Sequence, residues 1–141
     1  MLMTLFSKFH PLLVHFPIAL VLAAAVAELV VITTARDAWR TVAVANIRAG
    51  AAMGVVAAIT GWLFAASPLV DASMSLEWHR WLGMGGAAGA IGAAFLSSRP
   101  DVSSHRSALS YRLTLFVTAL LVAITGHLGG TLVWGARFFL P

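Results

Sequence analysis

The sequence predicts an all-α fold, an integral membrane four-helix bundle with both termini outside, and three observations carry that expectation. Of the 141 residues, 60% are apolar and 10% are charged, against about a quarter charged in a soluble domain. The mean hydropathy is strongly positive. The apolar residues also form long continuous blocks, each near the roughly 20 residues that a helix needs to span hydrocarbon. Continuous blocks of this length satisfy their own backbone in lipid as helices, whereas a membrane barrel would alternate apolar and polar positions.

The first block runs from about Pro11 to Thr34. A cleavable signal peptide is the competing reading of Met1 to Ala27, but the apolar run continues to Thr34 without a convincing cleavage site. It is therefore expected to be a permanent span. Arg36, Asp37 and Arg40 form a short connector to the second block, Val42 to Ala66, which stops at Ser67-Pro68. The third block, Trp78 to Leu96, follows the Ser67 to Glu77 loop; the polar stretch Ser97 to Ser110 leads to the fourth, Tyr111 to Trp134. No linker is long enough to separate domains, so residues 1–141 read as one four-span unit. Gly50, Gly54 and Gly61, and likewise Gly85, Gly89 and Gly92, predict close helix packing through small residues.

Charge sets the expected orientation. Arg36, Arg40, Arg99, Arg106 and Arg112 share one side, with Arg48 just inside it, while Lys8, Arg80 and Arg137 lie on the other. The richer side faces the cytoplasm, which places both termini outside a bacterial inner membrane crossed several times. The net charge of +4 follows from this bias. It offers no basic surface for nucleic acid. Glu28 and Arg48 lie at similar depth and are expected to pair, because either charge alone in a span is costly.

The histidines are the informative residues. Counting at about 1.5 Å per residue from the cytoplasmic ends of their spans, His15, His79 and His127 all lie roughly 26 to 28 Å above one face. They form a layer near the outer interface on three helices, with His10 just beyond and His105 in the opposite loop. Histidine also tolerates the interface beside Trp78, Trp81 and Trp134. Intramembrane ionisable groups, however, are more often functional than decorative, and imidazoles from facing helices are a standard way for a bundle to hold haem iron or a metal ion. Gly83 and Gly86 follow His79 at i+4 and i+7 and leave bare backbone where a macrocycle could lie. His10 and His15 would point about 140° apart in a regular helix, although Pro11 and Pro17 allow a departure from it. One b-type haem on two of His15, His79 and His127 is the favoured arrangement. A copper or zinc site on the same three histidines is the alternative, and a structural subunit without a cofactor is a third.

Two motifs carry a family resemblance. His10-Pro11-Leu12-Leu13-Val14-His15-Phe16-Pro17 and Gly126-His127-Leu128-Gly129-Gly130 resemble the two ends of a bacterial four-helix membrane family, catalogued as a domain of unknown function. Some of its members are fused to periplasmic c-type cytochrome domains. Thr60-Gly61 and the histidine opening the third span resemble its middle. Family members often carry an acidic residue where Thr131 stands and a tyrosine where Trp134 stands. The resemblance implies membrane redox service, with His10, His15, His79 and His127 as candidate ligands. The expected partners are membrane lipid and a periplasmic c-type cytochrome or a larger respiratory or photosynthetic complex.

Other chemistries are excluded. The chain has no cysteine, which removes disulfides, thiolate metal sites and covalent haem attachment. It has no Gly-x-Ser-x-Gly elbow and no phosphate-binding loop. An electron carrier or redox subunit is expected rather than a stand-alone enzyme.

Overall fold

The computed structural model describes residues 7–68, 70–99 and 105–135. A single-turn helix, α1 (His10–Leu13), passes through Val14 into α2 (His15–Thr34); α3 (Ala38–Ala65), α4 (Met74–Leu96) and α5 (His105–Trp134) follow. The four long helices fall on the four predicted blocks, and the last three overrun them at their N-terminal ends. Thus α3 takes in Arg40, α4 begins before Glu77, and α5 begins at His105, which the sequence reading left in a loop. Charged side chains at a helix end keep their heads in water while their stems lie along the helix. A charge there therefore marks the interface and not the end of the helix.

Local chemistry explains two of the boundaries. Ser73 is extended, and its hydroxyl accepts the Leu76 backbone N–H at 3.1 Å, capping α4. At the other kind of end, Ala35 closes α2 in the left-handed region at φ 54°, and its N–H donates to the Val31 carbonyl.

Consecutive long helices pack against each other, and α2 packs against α5, closing a ring of four. Residue size is distributed from small inside to large outside. Ala24, Ala43 and Ala93 are fully buried, whereas Val26, Phe95, Leu113 and Leu120 are each more than half exposed. In lipid the exposed bulk carries no penalty, and the small interior residues let backbones approach. A Cβ on Gly50 would lie 3.0 Å from Val21 Cγ2, as the packing expectation required. Gly83, Gly86, Gly89 and Gly92 meet Thr125, Val122, Thr118 and Thr114 in turn, setting α4 antiparallel to α5 in a close register.

Among the described residues, three helical stretches are long and apolar enough to cross a membrane: His10–Thr34, Ala38–Ala65 and Arg106–Trp134. The predicted third span, now α4, is less apolar than these. Glu77, His79 and Arg80 occupy its first two turns, and its glycines add little hydropathy. It is nevertheless packed against both α3 and α5.

The expected Glu28–Arg48 pair does not form. Glu28 is fully buried, with its Oε1 accepting from Arg112 Nε at 2.8 Å and lying 3.3 Å from Arg40 Nη2. Arg48 Nη2 instead donates to Ser98 Oγ at 3.0 Å. Equal depth does not imply equal azimuth: Glu28 faces the junction of α2, α3 and α5, while Arg48 faces the end of α4. Pro100, Ser103 and Arg137, and both chain ends, lie outside the described residues.

Candidate functional site

At the end of the bundle opposite the Glu28 cluster, residues of all four long helices line a cavity of about 810 Å³. Pockets that hold small molecules and cofactors span roughly 300–1,000 Å³. Its lining reaches toward mid-bundle at Val21, Gly50 and Ala90 and includes Asp71, Arg80 and Trp134 nearer the helix ends.

Two histidine rings meet edge-on there. His10, on α1, and His79, on α4, are both half-buried, with ring centroids 6.3 Å apart and ring planes at 78°. Each ring is oriented through Nδ1. His79 Nδ1 lies 3.0 Å from the Thr125 carbonyl oxygen; a carbonyl can only accept, so this nitrogen carries the hydrogen. His10 Nδ1 lies 3.2 Å from Thr60 Oγ1. The Thr60 hydroxyl also lies 2.9 and 3.1 Å from the carbonyls of Val56 and Ala57, either of which can take its one hydrogen. In a neutral His79 ring Nε2 is consequently the nitrogen with the lone pair, the form in which histidine binds a metal.

Glycine is required where these rings lie against neighbouring helices. A Cβ on Gly61 would stand 2.7 Å from His10 Cε1, and one on Gly129 would stand 3.0 Å from His79 Cε1. Gly61 thus differs from the packing role first expected of it: it makes room for an imidazole and not for a helix. Gly83 and Gly86 border the cavity, as expected of a bare helix face, and also abut Thr125 and Val122 on α5.

The other histidines are placed differently. His15 borders the cavity but is exposed, with Nδ1 3.3 Å from the Leu12 carbonyl of the preceding turn. His127 is exposed and does not line the cavity. The expected layer of His15, His79 and His127 therefore does not converge. Among the described residues no group of three or more histidine or acidic side chains is arranged to hold a metal ion. Val14 between α1 and α2 keeps helical backbone angles, so His10 and His15 lie about 140° apart around the helix and His10 takes the inward place.

Sequence reasoning missed three contributors. Thr60 orients His10; Phe64 lies beside it with ring centroids 6.5 Å apart; and Arg80 reaches the cavity with its guanidinium 3.8 Å from the centroid of the Trp62 ring. The signal for Arg80 was present as an ionisable residue inside an apolar block, next to a candidate ligand.

The sequence was compared with known families, curated proteins and solved structures. No curated protein and no solved structure matches it. A family model described as "Predicted membrane protein (DUF2231)" matches residues 7–138. With nearly the whole length matched, the chain belongs to the DUF2231 family of predicted membrane proteins.

Proposed function

We propose that this protein is a membrane b-type cytochrome-like electron-transfer subunit, with one haem held between His10 and His79. The observation that carries the reading is the pair of neighbouring imidazoles. With metal–nitrogen bonds of about 2.0 Å, two imidazoles sharing one metal would have ring centroids up to roughly 6 Å apart, and those of His10 and His79 are 6.3 Å apart. Both are tethered through Nδ1, which leaves Nε2 for the metal. They stand in a mostly apolar cavity of cofactor size.

When bound, haem would supply a one-electron iron couple. The protein's own work is to bind, orient and insulate. Thr60 and the Thr125 carbonyl fix the two rings and raise their donor strength. Val21, Ala57 and Ala90 keep the cavity floor apolar and exclude water. In this reading His15 is a rim residue, and His127 serves the interface with Trp78, Trp81 and Trp134.

The arginine asymmetry supports a cytoplasmic position for the Glu28 end and a periplasmic one for the cavity, in a bacterial inner membrane. Short loops leave no room for an electron partner within the bundle. A periplasmic c-type cytochrome or a larger respiratory or photosynthetic complex is the proposed partner, with membrane lipid around the rest. A copper or zinc site is less well supported, because two imidazoles provide half of the usual four ligands.

The test is an absorption spectrum and metal analysis of the protein purified from its native membrane. Sharp reduced α and β bands of bis-imidazole haem are expected. Protein that is folded but carries neither haem nor metal would overturn the proposal, as would bound zinc or copper without haem.

A further inference from the structure

We propose that Arg80 is the carboxylate-binding residue of this cavity, taking a haem propionate on the in-plane edge of its guanidinium; the inference rests on the haem reading of the site. Arg80 follows His79 directly on α4 and lines the same cavity. Its Cζ lies 3.8 Å from the centroid of the Trp62 ring. Trp62 is in turn braced by Trp81, whose ring meets it edge-on at 5.8 Å and 84°.

Stacking uses the face of a guanidinium and leaves its N–H edge available. That edge is poorly served by the protein. Arg80 Nε is buried with no hydrogen-bond partner, and among the described residues Arg80 makes no ion pair. Asp71 borders the same cavity without pairing with it. A cation held in place at an apolar cavity with its donors unused calls for an anion supplied from outside the chain. Arginine recognises carboxylate through two parallel N–H donors, and a haem ligated by the neighbouring His79 carries its carboxylates on one edge of the macrocycle. The same donors could bind a lipid phosphate, and the experiment distinguishes the two.

Haem-free full-length protein in detergent is titrated with haem and with haem dimethyl ester, following the low-spin absorption. The unmodified protein should bind the free acid about tenfold to a hundredfold more tightly than the ester, the worth of one charge-assisted hydrogen-bonded contact. Arg80→Gln should bring the two affinities together, and Arg80→Lys should keep part of the difference. Equal affinities in the unmodified protein would overturn the carboxylate role and leave a lipid phosphate as the anion at Arg80. A full difference retained in Arg80→Gln would also overturn it. Failure of the unmodified protein to bind either compound would overturn the haem reading itself. Because the acid and ester are compared on unmodified protein, the test stands even if a variant does not fold.

Discussion

Arg112 Nε donates to Glu28 Oε1 at 2.8 Å, joining the last helix to the first long one through a carboxylate that is fully buried. Arg40 completes the cluster from α3 at 3.3 Å and places its guanidinium 5.2 Å from the centroid of the Tyr111 ring. Removing Glu28 alone strands two cations. Breaking a buried pair from one side costs up to about 3–5 kcal/mol, less where partners reach solvent as these arginines partly do. Glu28→Ala should therefore lower the melting temperature in detergent well below that of Arg48→Ala, whose guanidinium bonds an exposed serine. Equal losses for the two variants would contradict the pairing seen here.

Tyr111 gives the opposite expectation. It is fully buried, and its hydroxyl has no hydrogen-bond partner among the described residues. An unsatisfied buried polar group costs about 1–3 kcal/mol. Tyr111→Phe keeps the ring and its packing, so the variant should be as stable as the parent or more so by thermal melting. A clear loss of stability would mean that the hydroxyl has a partner.

Ala35 holds a left-handed backbone conformation at φ 54°. An L-residue with a Cβ pays about 1–2 kcal/mol there, and glycine avoids most of this while gaining some unfolded-state freedom. Ala35→Gly should therefore raise stability modestly, by less than about 1 kcal/mol net. Chemical denaturation in mixed micelles, comparing midpoints at unchanged slope, would read it.

The imidazole seats make a sharper prediction. Gly61→Ala and Gly129→Ala insert a methyl group 2.7 and 3.0 Å from the Cε1 atoms of His10 and His79. Each should displace its ring and, in the proposed function, cut the haem-to-protein ratio severalfold. Gly85→Ala is the control, since its added methyl would meet Leu121 Cδ1 at an ordinary 3.8 Å. Removing a ring outright, in His10→Ala or His79→Ala, should abolish or convert the low-spin spectrum, while His127→Ala should leave it intact. A normal spectrum in both the His10 and His79 variants would refute the assigned ligands.

These outcomes bear on how far the sequence could be read. Four helices were legible because lipid demands unbroken apolar blocks, and the packing role of Gly50 was legible from small-residue spacing. The partners of Glu28 and His79 were not. Counting residues along a helix yields depth, but a helix that is apolar on all sides displays no inward stripe, and azimuth decides which side chains meet. His10 was harder still, since its place depends on a seat at Gly61 supplied by a different helix.

The ion pairs are unevenly distributed along the bundle. Glu28 joins α2, α3 and α5 at one end, and Arg48 fastens α3 to the residue pair just beyond α4 at the same end. The opposite end encloses the cavity. There the joins are of another kind: His10 reaches Thr60, His79 reaches the Thr125 carbonyl, and Arg80 lies over Trp62. One end of the bundle is thus held by a buried carboxylate shared between two cations, and the other by single contacts arranged around an open volume.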